Sequence, residues 1–269
     1  MIKLIATDMD GTFLTDGKTY NRDLFKQTMK KLQEQRVYFV VASSNQHAQL
    51  KSFFEDSEFK GNIYYLSENG GLIFKDDELL EETFIEKSLA DALGHYLYLE
   101  LSHKTFIISN KESAYIDRAS DQDFKDYTNT YFHELTEVES GDLLDKVNQT
   151  VKFTIYVDPN MQRKLLEDLR AKFGEQLKIV SSEADTIDIM SKKVSKGQGL
   201  ITLSKILDID GSEMAAFGNE ENDLTMLQYV NYAYAMQESN SILFDNDFQV
   251  IGSNNEDSVL ETINELLNE

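Results

Sequence analysis

Two aspartates stand where the first apolar run of the chain stops. Ile2 to Thr7 carries no polar alternation and leads straight into Asp8-Met9-Asp10-Gly11-Thr12. Such a run reads as a β-strand covered on both faces, and in open α/β sheets the carboxyl ends of the strands form the ligand crevice. Alternate residues of an extended segment share a face, so Asp8 and Asp10 look into the same space. Two carboxylates that close repel one another unless they share a proton or a cation, and a hard divalent ion such as Mg²⁺ is the usual remedy. Gly11 lets the chain turn sharply out of the strand. An Asp-Gly turn or a helix cap would use the same residues, and the fragment alone leaves that alternative open.

The rest of the chain repeats the rhythm. An amphipathic stretch over Arg22–Gln35 separates the first run from a second, Val37–Ala42, giving strand, helix, strand. Strands follow at Ile63–Leu66 and Leu72–Phe74 around the turn signal Asn69-Gly70-Gly71. Near the end come a helix over Gly197–Leu207, strands at Met214–Phe217, Tyr232–Ala235 and Gln249–Ile251, and helices over Asp223–Val230 and Asp257–Leu267. This alternation predicts an α/β, doubly wound, parallel-sheet core. The middle differs. Strands at Thr105–Ser109, Ala114–Asp117, Val151–Val157, Leu177–Ser181 and Thr186–Met190, with helices over Ser88–Leu101, Gln122–Tyr131 and Met161–Phe173, predict an inserted α+β unit. The expected division is 1–82 with 190–269 for the core and 83–189 for the insert.

Composition narrows the partners. The 269 residues hold 26 Lys and Arg against 48 Asp and Glu, a formal charge of −22, which repels nucleic-acid backbones and anionic lipid surfaces. An anionic substrate must therefore meet a local island of cations. With no cysteine, disulfide, thiolate and iron–sulfur chemistry are excluded. No apolar stretch is long enough to span a membrane and the first run is too short for a signal peptide, so a cytoplasmic protein is expected. His47, His95, His103 and His133 show no zinc-ligand spacing and read as surface or packing residues. The run Gly11 to Thr19 imitates a nucleotide P-loop but spaces its glycines wrongly.

Three further fragments fall at strand or helix ends. Ser43, in Ala42-Ser43-Ser44-Asn45-Gln46, places a hydroxyl and small-residue amides where phosphoryl oxygens could be gripped, although a helix cap would look the same. Lys196 opens a helix, where a cation beside free amides makes an anion site. Phe217-Gly218-Asn219-Glu220-Glu221-Asn222-Asp223 offers oxygen ligands after another strand, or simply caps the next helix.

In this order the four fragments resemble the haloacid dehalogenase superfamily of phosphotransferases, with its D-x-D-G-T, its Ser or Thr, its Lys and its terminal acidic loop. Glu68-Asn69-Gly70-Gly71 is similar to an element of the Cof-like branch, which carries a large type IIB cap between the second and third motifs; the interval from Ser43 to Lys196 leaves room for one. Two positions depart from the pattern. Asn219 stands where the family usually has Asp, and Ser44 replaces the Gly of the A-S-G-N-Q form found in the sugar-phosphatase members.

The resemblance implies a Mg²⁺-dependent phosphatase of small phosphate monoesters, sugar phosphates in particular, working through an aspartyl phosphate. Asp8 would be the nucleophile and Asp10 the acid and base. Ser43, Ser44, Asn45, Lys196 and Asn222 would hold the phosphoryl group, with Ser43 and Lys196 counted in the catalytic set. The metal would sit on Asp8, the Asp10 carbonyl, Asn219 and, directly or through water, Asp223. The insert would close over the substrate and read it. A monomer or weak homo-oligomer is expected. Two alternatives stand beside this reading: a phosphate-ligand sensor in which Asn219 cripples turnover, and a phosphomutase.

Overall fold

The computed structural model describes residues 1–100, 105–111, 113–183 and 185–268. They form two compact units, Met1–Glu81 with Ser195–Glu269, and Glu82–Val194. The predicted helix end at Leu101 and His103 lie outside the described residues.

The first unit opens with β1 (Leu4–Thr7), α1 (Arg22–Gln35), β2 (Tyr38–Ala42), α2 (His47–Ser52), β3 (Ile63–Ser67), β4 (Leu72–Lys75) and β5 (Glu78–Glu82). The second unit supplies α3 (Lys87–Glu100), β6 (Phe106–Asn110), β7 (Ala114–Asp117), α4 (Gln122–Tyr131), β8 (Leu135–Val138), β9 (Thr150–Tyr156), α5 (Pro159–Phe173), β10 (Leu177–Glu183) and β11 (Thr186–Ser191). The chain then returns to the first unit with α6 (Lys196–Leu207), β12 (Met214–Gly218), α7 (Leu224–Leu227), β13 (Tyr232–Ala235), α8 (Ser241–Phe244), β14 (Gln249–Val250) and α9 (Ser258–Leu266).

The first sheet runs β14-β13-β12-β1-β2-β3-β4-β5. Its pairs from β14 to β3 are parallel, and β4 turns back antiparallel on β3. The central strands β1, β2 and β12 are apolar apart from Thr7 and the Tyr38 hydroxyl because both faces are covered. Ile5, Val41 and Phe217 pack with Phe25, Met29 and Leu32 of α1 and Val259 and Ile263 of α9. Leu4, Ala6, Val40 and Ala216 pack with Leu200 and Leu203 of α6 and Met226 and Leu227 of α7. The α/β doubly wound architecture expected from the sequence is the one found. Parallel order places the ends of β1, β2 and β12 side by side, since Thr7 pairs with both Val41 and Phe217.

The second sheet runs β10-β11-β9-β6-β7-β8. One face is apolar: Phe106, Ile108, Phe153, Ile155, Ile187 and Ile189 pack against Leu93 and Leu97 of α3 and Leu169 and Phe173 of α5. The unit runs past the expected Ile189 because β11 continues to Ser191 before the chain turns.

Four short elements escape sequence reading. β5 and β8 are edge strands: β5 holds three Glu in five residues, the composition that protects an edge from further pairing rather than one that announces a strand, and β8 has only four residues. α2 and α8 are too short to show helical periodicity. The helix expected over Asp223–Val230 is a 3₁₀ turn, Glu221–Asp223, followed by α7. Among the described residues no helix is long and apolar enough to cross a membrane.

Candidate active site

Asp8 extends β1 by one step, its N–H donating to the Phe217 carbonyl at 3.0 Å. It is buried, as are Lys196 and Asp223. Lys196 is the first residue of α6, behind the cap Ser195, whose hydroxyl accepts from the Gln198 N–H at 3.0 Å. Its Nζ donates to Asp8 Oδ1 and to Asp223 Oδ1, both at 2.6 Å. Asp223 Oδ2 accepts the backbone N–H groups of Asn219 at 2.9 Å and Glu220 at 3.0 Å, which ties the loop after β12 into a fixed curl. One cation therefore sits between two carboxylates, all out of water.

The electrostatics follow from that count. Burial first, and then the charge of Asp223, push the Asp8 carboxyl from 3.8 up to about 7, despite Lys196 pulling the other way. Burial alone would lower Lys196, but Asp223 and Asp8 outweigh it and hold the ammonium above its usual range. A carboxyl raised in the folded state stabilises the fold fully below its unfolded value and loses that contribution as pH rises through its folded value. The metal-free protein is accordingly expected to lose melting temperature between about pH 4 and pH 8. Asp8→Asn should flatten that slope, and thermal scans at a series of pH values with chelator check it.

Asp10 turns away from this trio. Its Oδ2 accepts from Asn45 Nδ2 at 2.8 Å and its Oδ1 from Lys18 Nζ at 2.5 Å. Asn45 is placed by the loop after β2, where its N–H donates to Ser43 Oγ at 3.2 Å and its carbonyl accepts from Glu68 N at 3.1 Å. Ser43 is itself buried, its N–H on the Leu66 carbonyl at 3.0 Å and its carbonyl on Asn69 N at 2.9 Å. Ser44 follows it, half-buried, in the same loop.

The Asn219 amide lies beside two acceptors, Asp8 Oδ2 and the Asp10 carbonyl. With its oxygen inward, that atom accepts from Thr12 Oγ1 at 3.0 Å and converges with Asp8 Oδ2 and the Asp10 carbonyl. With the amide turned over, its nitrogen donates to Asp8 Oδ2 at 3.2 Å, to the Asp10 carbonyl at 3.3 Å and to Thr12 Oγ1 at 3.0 Å. The oxygen-inward set, carboxylate, carbonyl and carboxamide, has the chemistry a hard divalent cation takes. Among the described residues no group of three or more His, Asp or Glu side chains forms a metal nest, and this mixed set does not depend on one. Gly11 makes the geometry possible: its φ is +73°, and a Cβ there would lie 2.4 Å from the Asn219 amide.

Asn222 reaches the site from the other side, its Nδ2 donating to Asn69 Oδ1 at 3.0 Å. Asn69 sits in the left-handed region at φ 59°, in the tight 3₁₀ turn Glu68–Gly70. Gly70, at φ +85°, lets that turn press against α6, since a Cβ there would meet the Ser195 carbonyl at 2.7 Å.

The structure thus gathers Asp8, Asp10, Asn45, Lys196, Asn219 and Asp223 through direct contacts, with Ser43 one hydrogen bond further out and Asn222 joined to Ser43 through Asn69. It adds three residues that sequence reading did not assign a role here. Thr12 orients Asn219, Asn69 holds Asn222, and Lys18 pairs with Asp10. Lys18 is half-exposed and belongs to the stretch that mimics a P-loop; its own turn, with Lys18 N–H on the Thr15 carbonyl at 2.8 Å, brings it back to Asp10. Among the histidines, His47 stacks on Phe74 with ring centroids 3.8 Å apart.

The profile of the haloacid dehalogenase-like hydrolase family matches residues 5–263. A relative in Escherichia coli K12, 5-amino-6-(5-phospho-D-ribitylamino)uracil phosphatase YbjI, is 33% identical over 266 residues, covering 99% of this chain and 96% of its own. The crystal structure of SMU.1108c from Streptococcus mutans UA159 superposes with a TM-score of 0.91 at 26% identity and 100% coverage of both chains. The subclass IIB sugar phosphatase BT4131 shares the fold, with a TM-score of 0.82 at 15% identity and 98% coverage of each chain. The chain belongs to the haloacid dehalogenase-like hydrolase family, as one of its phosphatases.

Proposed function

We propose that the protein is a Mg²⁺-dependent phosphatase that hydrolyses small phosphate monoesters, sugar phosphates in particular, through an aspartyl phosphate. The observation that carries this reading is the Asp8 carboxylate: one oxygen is held by Lys196 and the other lies beside the Asn219 amide and the Asp10 carbonyl. Mg²⁺ would be held by Asp8, the Asp10 carbonyl and Asn219, with Asp223 acting through water because its oxygens already serve Lys196 and two amides. Bound there, it supplies the positive charge that lets an anionic nucleophile approach an anionic ester.

The chain's own groups carry out the steps. An Asp8 carboxylate oxygen forms a bond to phosphorus in line with the departing ester oxygen, whose bond breaks. Asp10 gives that oxygen a proton, and later takes one from the water that displaces the phosphoryl group from Asp8. Asn45 and Lys18 fix the Asp10 carboxyl for both tasks. Lys196 stabilises charge on the transferring group and opposes the burial that raises the Asp8 carboxyl. Ser43, Ser44, Asn45 and Asn222 offer hydroxyl, amide and backbone donors to the phosphoryl oxygens.

The substrate class rests on two supports: the Ser43 to Gln46 segment, close to that of the sugar-phosphatase members, and the substrate named for the E. coli relative, a phosphorylated ribityl chain. The unit Glu82–Val194 would read the organic group. Steady release of inorganic phosphate from phenyl phosphate with Mg²⁺, abolished by chelator, is the expected result. Tight phosphate binding with no release would overturn the proposal in favour of a sensor.

Asn219 adds a distinct expectation. Its amide can turn inward and satisfy Asp8 Oδ2 and the Asp10 carbonyl without a cation, whereas a carboxylate cannot. Asn219→Asp should therefore tighten Mg²⁺ binding by roughly one to two orders of magnitude, the range that changes beside a metal produce. Isothermal titration with the metal alone measures it, and an unchanged affinity would remove Asn219 from the ligand set.

A further inference from the structure

The stretch that mimics a P-loop closes on itself. Thr15 N–H donates to the Thr19 carbonyl and Lys18 N–H to the Thr15 carbonyl, both at 2.8 Å. This turn brings Lys18 Nζ to Asp10 Oδ1 at 2.5 Å, and it does so with Lys18 in the left-handed region, at φ 55°. A residue with a Cβ is held there only at a cost, and Gly17 stands one position too early to relieve it. Stability is not the return. The lysine side chain is 48% exposed, and ion pairs open to water add little to a fold. What a lysine contributes at this point of the turn is the placing of the Asp10 carboxyl.

A strained residue persists where its surroundings over-determine it. Here they do so through Asp16, two residues upstream, which is exposed and yet gripped at three points. Its N–H donates to Asn255 Oδ1 at 3.0 Å, its Oδ1 accepts from Asn254 Nδ2 at 3.2 Å, and its Oδ2 accepts from Asn255 Nδ2 at 3.2 Å. The same Asn254 nitrogen, on a buried side chain, donates to the Leu14 carbonyl at 2.8 Å. The pair is itself anchored. Asn255 N–H donates to Ser253 Oγ at 3.3 Å, Ser258 Oγ to the Ser253 carbonyl at 2.8 Å, and Ile251 N–H to the Ala235 carbonyl at the end of β13 at 2.9 Å. An exposed aspartate has water for a partner and needs none of these contacts to remain solvated. All of these residues belong to the first unit, with Asp8 and Asp10.

We propose that Asp16, Asn254 and Asn255 form a clamp that seats Lys18 on Asp10, and that all four are positioning residues for proton transfer to the leaving oxygen. This deepens the phosphatase reading and rests on it. As the ester bond to phosphorus breaks and the bond from Asp8 forms, the Asp10 proton passes to the departing oxygen, and its delivery depends on where the carboxyl points. An alkoxide, the leaving group of a sugar phosphate, needs that proton; para-nitrophenolate leaves without it. The clamp therefore sets how well the site cleaves esters of ordinary alcohols.

The test measures kcat/KM for pentyl phosphate and for para-nitrophenyl phosphate, in the full chain with Mg²⁺. Lys18→Met is expected to lower the value for pentyl phosphate roughly tenfold more than the value for para-nitrophenyl phosphate, a part of the roughly hundredfold or greater effect of a general acid. Asn255→Ala, at an exposed residue, should skew the two esters in the same direction by roughly fivefold, with the melting temperature held. Added to Lys18→Met it should cause no further skew, because the clamp acts through the lysine. Absence of the skew in Lys18→Met or in Asn255→Ala, or effects of the two that multiply in the double variant, would overturn the clamp while phosphate release persists. Absence of release from both esters by the wild type would instead sink the phosphatase reading, and this inference with it.

Discussion

Asp8→Asn is expected to reduce turnover by about four orders of magnitude or more, with the fold intact. The substitution keeps the shape of the side chain but takes away the anionic oxygen that must bond to phosphorus, and losing a nucleophile costs more than losing any single stabilising contact. The effect belongs to chemistry rather than stability. Asp8 is one of two carboxylates on one buried Lys, so neutralising it relieves repulsion with Asp223, and the variant should melt no lower than the wild type at pH 8 without metal. Phosphate release and thermal scans on the same preparation separate the two. Retention of more than a few per cent of activity would exclude Asp8 as the nucleophile.

Lys196→Met is expected to have the largest effect on stability. It leaves Asp8 and Asp223 buried without their shared cation, and breaking a buried pair from one side costs about 3–5 kcal/mol. The sign of its pH dependence follows from Asp8, whose carboxyl is already raised to about 7 with Lys196 present. Without the lysine it protonates still more readily, so the loss should be milder at pH 5 than at pH 8. Adding Asp8→Asn to Lys196→Met should recover part of the stability and none of the activity. Chemical denaturation at both pH values measures this; equal losses at pH 5 and pH 8 would show that the Lys196 contacts matter for packing and not for charge.

How far the sequence carries is clear from particular residues. Helix α1 has the bounds its periodicity predicts, because Phe25, Met29 and Leu32 bury one face and Asn21 accepts the Leu24 N–H at 3.0 Å as its cap. The central strands are legible because burial on both faces leaves them apolar, Thr7 at the end of β1 and the Tyr38 hydroxyl at the start of β2 excepted. The site's membership is legible because each fragment sits where a parallel sheet brings strand ends together. What each oxygen does is not. Asp223 reads as a metal ligand from its spacing, yet its carboxylate is occupied by Lys196 and two amides, contacts set by how the loop curls after Gly218. Lys18 and Asn69 owe their places to left-handed backbone, at φ 55° and 59°, that no periodicity announces.

The stereochemistry at phosphorus tests the central claim most directly. An ester made chiral with oxygen isotopes and hydrolysed by the wild-type protein should give phosphate of retained configuration, because Asp8 displaces the leaving group and water then displaces Asp8. Inverted configuration would mean that water attacks the ester in one step, and that Asp8 never carries the phosphoryl group.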